Sequence, residues 1–294
     1  MRTGEGKCAK LPMGCCKRRV ARLGFLHSNR PAGALADKLP VARKLLELMM
    51  KGVILAGGTG SRMLPLTKVT NKHLLPIYNK PMIYYPLECM AKAGIEEVLL
   101  VTGGNNSGEF IRLLGNGREF GLKNLNYTYQ DGAGGIAQAL GLAEHFAAGD
   151  SILLILGDNI LEYTIKESCK RFRHQGQGAK ILLSEVENPK AYGVAEMEGE
   201  RVVRIVEKPA NPKSNWAVIG IYFYDEKVFE IVKTLKPSAR NELEITDVNN
   251  AYIERGEMTA DKVQGFWADA GENIDFYLKS CNMVAEHGAN KDAK

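Results

Sequence analysis

No stretch of this sequence approaches the ~20 consecutive apolar residues that a membrane-spanning helix needs, so no membrane partner is expected. Cysteine is sparse, six residues in all, and none stands in a Cys-x-x-Cys or Cys/His spacing that suits zinc. Cys15 and Cys16 are adjacent but have no further ligand at a metal-binding interval. Cys89, Cys169 and Cys281 are scattered, as free thiols in a reducing cytosol would be, and a cytoplasmic location is expected. Positive charge is missing where a polyanion binder would need it. Residues 1–50 hold 11 Lys and Arg against 3 Asp and Glu, whereas the remainder holds 28 against 31. The net charge of +5 therefore belongs to the N-terminal segment, and the slightly acidic body gives no reason to expect a nucleic-acid partner.

What is present is an ordinary globular composition, 45% hydrophobic and 25% charged over 294 residues, long enough to bury a core without disulfides. Residues 1–50 read as a basic, disordered extension. Gly and Pro interrupt the amphipathic helix of a transit peptide, and there is no continuous apolar run of a secretory signal. Met49 or Met50 reads as the natural start. Residues 51–287 read as one domain and 288–294 as a disordered tail.

From Lys51 onward, strand and helix signals alternate. The runs "GVILAG", "EEVLLVTGG", "LNYTYQ", "SILLILGD" and "AKILLSEV" are strand-like. Between them "PMIYYPLECMAKAG", "GEFIRLLG", "GIAQALGLAEHFA" and "KESCKRFRHQG" are helix-like. That alternation predicts βαβ units and a largely parallel sheet covered on both faces. "AYGVAEME", "RVVRIVEKP" and "NWAVIGIYFYD" then follow as strands in succession, so this part is expected to be mixed or antiparallel. "DEKVFEIVKTL" and "ELEITDVNNAYIERG" read as helices, and "MTADKVQGFWADAG" as a last strand and a turn. The closing helix places Ile274, Tyr277, Leu278, Cys281 and Val284 on one stripe.

The first strand runs straight into Gly57, Gly58 and Gly60, followed by Arg62, Lys68 and Lys72. Glycines let backbone N–H groups turn towards a ligand and form a concave anion site, and cations beside it suit a triphosphate. A dinucleotide fingerprint is excluded because Met63 stands where its third glycine would be. A P-loop is excluded because Arg62 follows Gly57 at the position its second glycine requires. A glycine-rich turn after a strand is equally the mark of an ordinary tight turn.

The longer pattern is more specific. "LAGGTGSRMLPLT", "NKHLLPIYNKPMIYYPL", "GGIAQAL", "LGDNI", "YGV", "EKP", "PKSNWAVIGIYFYD", "LKPSARNELEITDVNN" and "DAG" occur in one order across residues 51–285. This series resembles the sugar-phosphate nucleotidylyltransferases, above all those that join dTTP and glucose 1-phosphate into dTDP-glucose and pyrophosphate for deoxysugar or rhamnose synthesis. The resemblance implies a Rossmann-like nucleotidyltransferase core of three αβα layers, with a mixed, mostly parallel sheet between helices. It implies Mg²⁺ as cofactor, and leaves a homo-oligomer open.

Roles follow by the same resemblance. Asp158 and Asp269 would bind the metal. Arg62 would neutralise the leaving pyrophosphate, and Lys72 would lie between the nucleotide and sugar phosphates. Lys208 would bind the phosphate of glucose 1-phosphate, Glu207 the sugar hydroxyls and Gly193 the sugar by close backbone approach. Asn159 would add an active-site hydrogen bond. Gln130 and Gly135 would meet the base, with Gln138 facing solvent or packing in its helix. Tyr222 and Trp216 are candidates for the sugar pocket or for the core. Some positions depart from the pattern: His73 for glutamine, "DGAG" at 131–134 for a proline-containing loop, Ala268 and Ala270 for hydroxyl residues, and Asn241 for glycine. The chain resembles the short form, without the helical region linked to feedback control. Rival expectations are a UTP- or CTP-using enzyme and a catalytically silent binding protein on the same fold.

Overall fold

The computed structural model describes residues 50–104 and 106–292. The expected basic extension, with Cys15 and Cys16, lies outside the described residues, as do the last two. Met50 is the exception: it is buried and opens the first strand, so the folded body starts there.

The strands are β1 (Met50–Ala56), β2 (Pro76–Ile77), β3 (Lys80–Pro81), β4 (Glu97–Gly103), β5 (Asn124–Gln130), β6 (Ser151–Leu156) and β7 (Asn159–Leu161). They continue as β8 (Ala179–Glu185), β9 (Gly193–Glu198), β10 (Arg201–Glu207), β11 (Trp216–Tyr224), β12 (Met258–Lys262) and β13 (Trp267–Asp269). Nine of them form one mixed sheet among the described residues. β5, β4, β1 and β6 lie side by side and parallel. β11 enters antiparallel to β6 and branches to β8 and β9, with β12 and β10 closing the two branches.

The continuous apolar runs explain why helices cover both faces. Successive strand residues point to opposite sides. Val53 and Leu55 of β1, with Ile152 and Leu154 of β6, join a core roofed by helices Ile136–Gly141, Val228–Thr234 and Ile245–Glu254. Ile54, Ala56, Leu153 and Ile155 join the opposite core, under helices Tyr84–Lys92, Ser107–Leu114 and Lys166–Gln175. This is the three-layer α/β arrangement that the sequence predicts.

Four local features differ from the sequence expectation. The single helix expected over "GIAQALGLAEHFA" is two, Ile136–Gly141 and Glu144–Ala147. The closing helix, Ile274–His287, turns Tyr277, Ser280, Cys281 and Val284 inward, while Ile274 and Leu278 are exposed. It covers only a small third core around Ile77, Met82, Ile160 and Ala270, for which a narrow seam suffices. The expected last strand is two strands, and β13 leaves the sheet to pair antiparallel with β7. Finally, the tail expected to be disordered from 288 is bound as far as 292. Asn290 is buried, its N–H donates to the Leu161 carbonyl and its side chain to the Tyr85 carbonyl. Lys291 exchanges backbone hydrogen bonds with Glu162 and Thr164. These polar, main-chain contacts leave no apolar signature in the sequence.

Candidate active site

A cavity of about 390 Å³ opens beyond the carboxyl ends of the parallel strands, where open α/β sheets place their ligands. Gly57 and Gly58 follow β1, Gln130 ends β5, Asp158 follows β6, and all four line it. Gly58 has a φ of 91° and nothing within 4 Å of where a Cβ would stand, so its backbone is open to a ligand. Gly60 does not line the cavity. A Cβ there would press on Thr67, whose hydroxyl donates to the Gly60 carbonyl, so Gly60 shapes the turn. Arg62 and Lys72 line the wall and Lys68 does not.

Asp158 and Asp269 are brought together by the short ribbon. Asp269 pairs with Asn159 in the β7–β13 register, and the Ala270 N–H donates to the Asp158 carbonyl at 2.9 Å. The Lys72 ammonium reaches Asp158 Oδ2 at 2.5 Å, and Asn159 Nδ2 donates to Asp158 Oδ1 at 3.1 Å. Burial opposes the charge on Asp158, but Lys72 outweighs it and holds the carboxyl well below the usual carboxylate range. Asp269 goes the other way. Burial, and then the Asp158 charge, push it up to about 7. Lys72 feels burial as its largest single influence, downward, yet Asp158 and then Asp269 together carry its pKa above the ordinary lysine value.

The pair suits a hard divalent cation. Both groups supply oxygen, and each destabilises the other's charge until a cation separates them. Among the described residues no group of three or more His, Cys, Asp or Glu could hold a metal alone. A cation there would share its coordination with substrate phosphates, the usual arrangement for small hard ions.

On the opposite wall stand Gly193, Glu207 and Lys208. Glu207 Oε2 accepts from Thr246 Oγ1 at 2.8 Å, and a Cβ on Gly193 would lie 3.3 Å from that oxygen. Lys208 holds a φ of 44°, an uncommon backbone state for a residue with a side chain, at the very end of β10. Gly135, with φ of 93°, lies against Leu243, where a Cβ would collide with the main chain.

Asn159 is corrected. It does not line the cavity, and its amide is consumed by Asp158, the Gly220 N–H and the Trp267 indole N–H. Trp216 is likewise outside, with Lys262 over its ring at 4.1 Å. Tyr222 belongs to both the core and the cavity wall. His73 is buried and neutral, its pKa lowered to about 3 by burial and then by Lys72; its Nδ1 lies 2.7 Å from Asn71 Oδ1. Cavity-lining residues that sequence reasoning did not single out include Tyr192, Arg240, Glu244, Asn249 and Glu272. Arg240 and Glu244 pair at 2.8 Å, and the dense charge of "ARNELEITD" ahead of a helix was the available signal.

The model of the Nucleotidyl transferase family matches residues 51–286, the whole body that carries this cavity. The chain belongs to that family. Among similar nucleotidyl transferases, the glucose-1-phosphate thymidylyltransferase of Neisseria meningitidis is 46% identical over 226 residues, 76% of this chain and 78% of that protein. The enzyme of the same name from Mycobacterium tuberculosis is 45% identical over 239 residues, 80% of this chain and 82% of its own length. A solved Bacillus anthracis protein assigned as a glucose-1-phosphate thymidylyltransferase, in complex with sucrose, superimposes with a TM-score of 0.77 at 47% identity. That match covers 83% of this chain and 98% of the solved one. A UDP-glucose pyrophosphorylase complexed with UDP-glucose gives a TM-score of 0.72 at 26% identity, over 81% of this chain and 99% of the other. Among the described residues no helix is long and apolar enough to cross a membrane.

Proposed function

We propose that this protein transfers a thymidylyl group from dTTP to glucose 1-phosphate, releasing pyrophosphate and giving dTDP-glucose. The observation that carries this reading is the convergence of Asp158 and Asp269 beside the open glycine turn, in one cavity with Arg62, Lys72 and Lys208. The relatives named above for the same reaction support it.

In this reaction an oxygen of the sugar phosphate attacks the α-phosphorus in line, and the bond from that phosphorus to the bridging oxygen of pyrophosphate breaks. No protein nucleophile is required, so the chain's task is positioning and neutralisation of charge. Gly57 and Gly58 cradle the triphosphate with main-chain N–H groups. Arg62 offers a planar fork to the departing phosphates. Lys72 holds Asp158 ionised and supplies positive charge between the two substrates. Lys208 receives the sugar phosphate, and Glu207, fixed by Thr246, accepts from sugar hydroxyls beside Gly193. Gln130 and Gly135 meet the base. Mg²⁺ held by Asp158 and Asp269 would withdraw charge from the phosphate oxygens. We further place the enzyme in the cytoplasm, in keeping with the free thiols of Cys89, Cys169 and Cys281.

A pyrophosphate-release assay with glucose 1-phosphate, Mg²⁺ and each pyrimidine triphosphate in turn tests the reading. Fastest turnover with dTTP supports it. No release with any of them contradicts it.

A further inference from the structure

Gln130 ends β5 at the cavity wall and is buried. Its Nε2 donates twice, to the Gly135 carbonyl at 3.2 Å and to Gln138 Oε1 at 2.8 Å. A backbone carbonyl can only accept, so the Gly135 contact decides which end of the Gln130 amide is nitrogen. Once that end is fixed, Gln138 must present its own oxygen. Both N–H groups of Gln130 are then committed, and the acceptor Oε1 is what remains for a ligand. It stands by the phosphate cradle, 3.2 Å from where a Cβ on Gly57 would be. Gln138 reaches this position because Gly134 has no side chain; a Cβ there would overlap the Gln138 amide.

Pyrimidine bases differ at N3. Thymine and uracil carry an N–H there, whereas cytosine carries a bare acceptor nitrogen. We propose that Gln138 is a specificity-positioning residue: it holds the Gln130 amide with its carbonyl oxygen towards the base, so that the site takes pyrimidines that donate at N3 and disfavours cytosine. This rests on the assignment of Gln130 to the base given above. Gln138 is itself exposed, so water competes for its hydrogen bond, and the Gly135 carbonyl supplies the rest of the bias. Losing Gln138 therefore weakens the selection without abolishing it.

The test compares kcat/KM for dTTP, dUTP and dCTP, three nucleotides with one sugar, by pyrophosphate release with glucose 1-phosphate. Gln138→Leu removes the acceptor and is expected to lower the preference for dTTP over dCTP roughly three- to ten-fold, the scale of one net hydrogen bond. The ratio of dTTP to dUTP is expected to stay unchanged, since both donate at N3. Gln138→Glu keeps an acceptor and is expected to retain the wild-type preference. If Gln138→Leu slows all three nucleotides by one common factor, the residue is merely structural and the inference is overturned. A wild-type preference for dCTP overturns it as well. The control is Gln130→Leu: if that change leaves the dTTP to dCTP ratio intact, it is the base assignment itself that fails.

Discussion

Asp269 faces Asn159 across the β7–β13 ribbon, and this single pairing sets its carboxylate beside Asp158. The two acids come from distant parts of the chain, and a one-residue slip would send the Asp269 side chain to the other face. The register is pinned next to the site by the Ala270 N–H on the Asp158 carbonyl. Asp158→Asn and Asp269→Asn are each expected to cut turnover roughly 10²–10³-fold, the scale for losing one preorganised electrostatic element. Binding of glucose 1-phosphate, followed by calorimetry, is expected to change little, because Glu207 and Lys208 lie on the opposite wall.

Asp269 makes stability depend on pH. Its folded pKa of about 7 lies above the ordinary 3.8, so between those values the folded state holds a proton that the unfolded state has lost. Stability therefore falls as pH rises through this window, at up to about 1.4 kcal/mol per pH unit. Asp158 acts in the opposite sense, but its depressed pKa confines its effect to acid pH. Denaturant unfolding of the metal-free protein between pH 5 and 8 is expected to show wild type losing stability relative to Asp269→Asn. Parallel profiles would contradict this.

Asn159 serves the site from behind. Its amide joins Asp158, the Gly220 N–H and the Trp267 indole, and Gly220 has no room for a side chain because a Cβ would lie 2.7 Å from Asn159 Nδ2. Asn159→Leu keeps the volume and strands those partners. It is expected to cost about 2–4 kcal/mol of stability and to lower kcat with little change in the KM for glucose 1-phosphate.

The segment after the closing helix is a structural edge for β7. Removing residues 289–294 takes away the hydrogen bonds of Asn290 to Leu161 and Tyr85 and of Lys291 to Glu162. A fall in melting temperature of about 5 °C is expected from a loss near 2 kcal/mol. Calorimetry showing an unchanged transition would contradict the docking.

The parallel half of the sheet is legible because both its faces are buried, and runs such as "GVILAG" and "SILLILGD" record that directly. The glycine turn and the two aspartates could be named from the motif series. The ribbon joining them could not, because β7 and β13 have three residues each, too few for any period to appear. Asn159 was misjudged for a related reason. A buried amide that holds other groups looks, in sequence, like one that touches a ligand. At Asn241, the expectation that asparagine would tolerate a left-handed backbone in place of glycine agrees with its φ of 58°. Gln138 was read as a solvent-facing or helix-packing side chain; it is exposed, yet its amide is spent on Gln130, a contact set by the missing Cβ of Gly134 and invisible to helical periodicity.

Binding of Mn²⁺ in the presence of dTTP, followed by electron paramagnetic resonance, tests most directly whether the ribbon builds one cation site from two acids. Wild type is expected to bind a single tight ion, and Asp158→Ala and Asp269→Ala are each expected to abolish that binding while both proteins remain folded. Retention of wild-type affinity by either variant would contradict the shared site.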